Sequence, residues 1–102
     1  MRARNIKPGF FLNEDLADIG PYAQLLFAGL WCLADKEGKL EDRPRRIKAA
    51  VFPYYDPKPS IETLLNYLAE RNFITRYKVN KMKLIIIPNF VTHQSPHHTE
   101  RK

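Results

Sequence analysis

A chain of 102 residues, 44% hydrophobic and 27% charged, is sized for one domain with one core, because a domain of this length buries roughly 65% of the surface its unfolded chain exposes, and its composition lies outside the disordered range. The formal net charge of +6 speaks for a polyanionic partner, and a membrane-spanning helix is excluded because the longest uncharged stretch, residues 19–34, falls short of the roughly 20 residues needed and contains Gly20, Pro21 and Gln24. MRARNIKPGFF has no extended apolar segment with a cleavage site, and the single cysteine, Cys32 in LLFAGLWCLA, is expected as a buried thiol, so the compartment expected is the reducing cytoplasm.

Asn13 followed by Glu14 and Asp15 predicts a short N-terminal helix, with Asn13 as N-cap and the acids where they suit the helix dipole. Gly20-Pro21 breaks and restarts the chain, with Pro21 opening a helix that runs to about Lys36. Leu25, Leu26, Phe27, Leu30, Trp31 and Leu33 leave that helix almost no polar face, so it is expected at the centre, covered on most sides, with Gly38 as its end signal. KLE at 39–41 is long enough only for an edge strand. Asp42 or Arg43 caps a second core helix from Pro44 to about Phe52, with Ile47, Ala50 and Val51 inward and Pro53 as its stop. Beyond the turn-rich PYYDPKPS, Ser60 caps a third, whose Ile61, Leu64, Leu65 and Leu68 recur at helical spacing, and Asn72 suits the left-handed position after it.

FITRYKV and MKLIIIP are β-rich runs on either side of Asn80-Lys81 and read as a hairpin. A two-residue turn sets Val79 opposite Met82, Lys78 opposite Lys83, Tyr77 opposite Leu84 and Arg76 opposite Ile85. The order of elements predicts an α+β, mainly helical domain over residues 1–92. It is that of a winged helix-turn-helix: three core helices and a C-terminal β-hairpin wing, with a short N-terminal helix in front. Residues 93–102 are expected to form a flexible tail or the start of a linker to a further C-terminal region.

Positive charge concentrates in two places. RPRRIK at 43–48 holds four cations in six positions, and FITRYKVNKMK at 73–83 holds four more with no acid. On the second core helix Arg45, Arg46 and Lys48 lie away from the inward Ile47 and Val51, with Arg43 at the helix start. All four are candidate phosphate contacts, although Glu41 and Asp42 offer the arginines nearby partners. In the hairpin, Lys78 opposite Lys83 is a like-charge pair that destabilises the strands by about a few tenths of a kcal/mol, a penalty that a bound phosphate reverses. With Arg76 and the turn residue Lys81 these lysines are expected to form a cationic wing; the alternative is that they only keep a sheet edge from pairing with another chain.

Thr63, Asn66 and Tyr67 share the exposed face of the third helix, with Arg71 near its end, and are the candidates for facing a DNA groove, Asn66 as a reader of adenine. Glu62 and Glu70 on the same face weigh instead toward a structural or protein-contact role. Arg2 and Arg4 are expected as a flexible N-terminal arm. His93, His97, His98 and Cys32 have no metal-ligand spacing, and neither a Gly-rich phosphate loop nor a nucleophile elbow is present. The expectation is therefore a protein that is not an enzyme and has no metal, cofactor or small-molecule substrate.

The runs NIKPGFFLNEDLA, LLFAGLWCLADKEGKLEDRPRRIKA, FPYYD, LLNYLAERNFITRY and IPNFVTHQSPH together resemble the N-terminal domain of phage and prophage replication initiation proteins, the replisome-organiser or DnaD-like family. The resemblance extends from about residue 4 to 98 and is most specific from Leu25 to Ala49. It implies a winged helix that docks double-stranded DNA during DNA replication, attached in typical relatives to a region for helicase loading or oligomerisation. Two alternatives stay open. In one, the third helix and the aromatics around Tyr54 and Tyr55 dock a replication protein or a second copy; in the other, the same fold acts as a phage transcriptional regulator.

Overall fold

A short first helix, α1 (Pro8–Leu12), opens on Pro8 and ends at Asn13, and the same Asn13 caps α2 (Glu14–Asp18) by accepting the Leu16 backbone N–H at 3.1 Å. The computed structural model describes residues 1–93. It continues with α3 (Pro21–Leu33), β1 (Lys39–Glu41), α4 (Pro44–Val51), α5 (Ile61–Glu70), the hairpin strands β2 (Thr75–Val79) and β3 (Met82–Ile86), and α6 (Phe90–His93). The expected tail therefore meets a helical residue at His93 and otherwise lies outside the described residues, as do His97 and His98.

The helix boundaries follow local chemistry. Pro21 sits at the first position of α3, the Ser60 hydroxyl accepts the Thr63 N–H at 3.2 Å at the start of α5, and Asn72 takes a φ of 65° just beyond its end. α3 stops at Leu33, short of Lys36, because Asp35 organises a turn into β1: its carboxylate accepts from the backbone N–H groups of Glu37 and Lys39. Gly38 belongs to that turn rather than to the helix end. Its φ is 85°, and a Cβ there would stand 2.6 Å from the Cβ of Phe90. Gly38→Ala therefore combines a left-handed backbone with a clash, and chemical denaturation is expected to show a loss of about 2–4 kcal/mol.

The sheet is antiparallel in the order β1-β3-β2. Its hairpin has the register that the two-residue turn predicts, from Val79 opposite Met82 to Arg76 opposite Ile85. Asn80, at φ 57°, supplies the left-handed turn residue in the absence of glycine. β1 joins the other edge of β3 with Leu40 opposite Ile85. Alternation puts Leu40, Ile85 and Arg76 on one sheet face, and Ile85 is fully buried there. The core beneath consists of Leu26 and Leu30 from α3, Ile47 from α4, Phe52, and Leu64, Leu65 and Leu68 from α5, with Ile74 at the base of the hairpin.

Gly29 allows α3 and α4 to approach closely, since a Cβ there would meet the Val51 methyls at 2.6 and 2.7 Å. α3 is less enclosed than its composition predicts. The elements packed on it, α2, α4 and α5, leave a stripe open on which Leu25 is 51% exposed, and Cys32 is half-buried rather than buried. Among the described residues no helix is long and apolar enough to cross a membrane.

Candidate nucleic-acid interface

The hairpin register puts Arg76 directly across from the buried Ile85, so its side chain enters the space between the sheet and α5. A guanidinium there needs partners, because an unpaired charge away from water is strongly unfavourable. It finds three. Nε and Nη2 bond Asp42 Oδ2 and Oδ1 at 2.7 and 3.0 Å, Nη2 and Nη1 bond Glu62 Oε1 and Oε2 at 3.1 and 2.7 Å, and Nη1 also bonds Asn66 Oδ1 at 2.8 Å. All five N–H donors of the guanidinium are engaged. The expectation of Arg76 as a phosphate contact is thereby overturned, since no donor is left over for an external anion.

The same cluster explains Asp42. Rather than capping α4, whose N-cap is Arg43 with no side-chain cap bond, Asp42 turns inward, and its side chain is only 4% exposed. Bonding to Asp42, and secondarily to Glu62, raises the Arg76 pKa well above its usual value. Its hydrogen bonds in turn hold the Glu62 carboxyl below its ordinary range, with Lys83 adding a smaller attraction. Arg76 thus ties the hairpin to both the entry of α4 and the first turn of α5. The sequence offers Asp42 as a cap or as a partner for the arginines of α4, and Glu62 as a surface acid of α5, and pairs neither with Arg76, yet the predicted register already turns Arg76 toward the core, where a cation demands acids.

Around this clasp the remaining cations stay outside. The Asp42 N–H donates to the Lys83 carbonyl at 2.9 Å, which brings the start of α4 against the hairpin. A cleft of about 230 Å³ between them is lined by Arg43, Lys81 and Lys83 together with Glu41, Asp42 and Met82. Arg43 and Arg46 share Glu41 at 3.2 and 3.9 Å in solvent-exposed pairs, which contribute little and are readily exchanged for another anion. Arg45, Lys48, Lys78 and Lys81 make no ion pair among the described residues. Lys78 and Lys83 face each other directly, both exposed.

Of the residues expected to face a groove, Asn66 is exposed on α5 in a row with Glu62 and Glu70, while Thr63 and Tyr67 are half-buried, Thr63 accepting a hydrogen bond from the Ser60 hydroxyl at 3.1 Å and Tyr67 packing against the core. Arg71 departs from the expectation. It turns back toward α2, donating to the Asp15 carbonyl at 3.3 Å and approaching the Asp15 and Asp18 carboxylates at 3.8 and 3.9 Å.

The N-terminal arm is docked rather than flexible. The Arg2 N–H donates to the Cys32 carbonyl, and Arg4 donates to the carbonyls of Trp31 and Ala34 at 3.0 and 3.1 Å while lying 5.0 Å above the Phe90 ring. Arg4 thus satisfies the free carbonyls and the negative dipole at the end of α3. Its partners lie 27 and 30 residues away, beyond the reach of any local pattern.

At the base of the hairpin, a second hollow of about 540 Å³ is walled by Phe10, Trp31, Phe73 and Phe90 and bordered by Lys7. Among the described residues no group of three His, Cys, Asp or Glu side chains is placed to hold a metal ion. No protein-family model, curated protein or solved structure matches the chain.

Proposed function

We propose that this domain is a winged helix that binds double-stranded DNA, as the DNA-docking module of a phage replication initiator. The observation that carries the reading is the meeting of its two cationic segments: Arg43 at the start of α4 borders the same cleft as Lys81 and Lys83 of the wing. Arg45, Arg46 and Lys48 extend that charge along α4, and Lys78 extends it along β2. Several cations spread over two elements suit a polyanion better than a single anion, because sequence-independent DNA affinity comes from many phosphate contacts. The replication role rests on the resemblance in the sequence, and the domain acts on this reading as a cytoplasmic binding module, not as an enzyme, and without a cofactor.

The experiment is a titration with duplex DNA at several salt concentrations. If about six phosphates are neutralised, affinity falls roughly a thousandfold between 50 and 200 mM salt, following a slope of about 0.9 per phosphate. A salt-independent affinity, or none at low salt, would remove DNA from the account.

One observation favours a second reading, that of a protein-docking surface for a replication partner or a second copy. Tyr54 and Tyr55, adjacent in the chain, are 90% and 59% exposed and so leave two aromatic rings available to a protein surface. A domain that works only in this way shows a slope near zero in the same titration.

A further inference from the structure

A guanidinium carries only donors, so the atom of Asn66 that meets Arg76 Nη1 at 2.8 Å is the carboxamide oxygen. The guanidinium cannot swing away to release it, because its other N–H groups are held by Asp42 and Glu62. The orientation of the amide is therefore set from behind. The Asn66 nitrogen, which has no partner among the described residues, is left pointing away from Arg76 on the exposed face of α5.

Asparagine ordinarily reads adenine with both poles of its amide, the oxygen accepting from N6 and the nitrogen donating to N7. Here the oxygen is committed to Arg76, and the pole that remains is a donor. In the major groove guanine presents two acceptors side by side, N7 and O6, and no donor. The neighbouring Glu62 has its carboxylate paired with Arg76, so the free amide donor of Asn66 is the polar group that this part of α5 offers to a base edge. Resting on the DNA-binding reading above, we infer that Arg76 is a positioning residue that fixes Asn66 as a donor, and that Asn66 selects guanine in the major groove rather than adenine.

The test is selection of duplexes from a randomised library by the wild type and by Asn66→Ala, followed by base replacement at the position where the two selections differ. For the wild type, 7-deazaguanine, which lacks the N7 acceptor, is expected to weaken binding roughly 5- to 150-fold, the equivalent of one well-made base contact. Hypoxanthine, which keeps N7 and O6, leaves binding unchanged. Asn66→Ala, compared with the wild type well below its own melting midpoint, responds to neither replacement. An Asn66-dependent preference for adenine overturns the inference, and so does duplex binding in which no base preference depends on Asn66; both leave DNA binding standing. Absence of duplex binding at low salt overturns the DNA-binding reading along with it.

Discussion

Replacing Arg76 with methionine is expected to destabilise the domain by about 3–5 kcal/mol, because it leaves a buried carboxylate without its counter-charge. The Asp42 side chain is 4% exposed and the Arg76 side chain 17%, so water cannot take over the lost hydrogen bonds. Against a typical total of about 5–15 kcal/mol, that loss is visible as a fall in the melting midpoint on the order of 20 °C. Arg76→Lys keeps the charge but has three donors from one point, too few and too compact to span Asp42, Glu62 and Asn66, so most of the loss should persist. Replacing Arg76 with methionine and Asp42 with leucine together should restore much of it, since no uncompensated charge then remains inside.

The acid side of the stability profile carries the same signature. The Arg76 hydrogen bond holds the Glu62 carboxyl below its usual value of 4.5. Its stabilisation is therefore complete above that pH and fades as pH falls through the lowered folded-state value. In Arg76→Met this part of the pH dependence should disappear. Wild-type denaturation midpoints in the arginine variants would show that the clasp does not hold the hairpin to the helices.

Lys78→Glu is expected to move stability and DNA binding in opposite directions. Lys78 and Lys83 are direct cross-strand neighbours, and turning their repulsion into attraction should stabilise the hairpin by about 0.2–1 kcal/mol. On the proposed DNA-binding reading the same change removes one phosphate contact, so the logarithmic salt slope of DNA binding should flatten by about one unit. A higher midpoint with weaker, less salt-dependent binding is the combination expected of a residue kept for its ligand. An unchanged slope would take the hairpin out of the interface and leave its lysines as guards of a sheet edge.

The parts of the fold that sequence reveals are those governed by neighbours in the chain. Asn13 and Ser60 cap helices, Pro21 opens one and Asn72 follows one, and the hairpin register comes from alternation around Asn80-Lys81. The two missed helices, α1 and α6, are only five and four residues long, too short for periodicity to register. α6 is anchored instead by the burial of Phe90 against Gly38 and beneath Arg4, contacts between segments far apart in sequence. The same limit applies to the candidate site. Counting charges identifies the two basic segments, but only the tertiary structure separates Arg76, locked onto Asp42 and Glu62, and Arg71, turned back toward α2, from Arg45, Lys78 and Lys81, which make no ion pair among the described residues.

The most direct test of the account is a map of backbone amide shifts in the isotopically labelled domain as duplex DNA is added at low salt. The largest changes are expected at residues 43–48, 62–66 and 78–83, with Asn72, Phe73 and Phe90 at the opposite end of the hairpin unmoved. Changes centred on Tyr22, Leu25, Tyr54 and Tyr55 while the hairpin stays silent would contradict it.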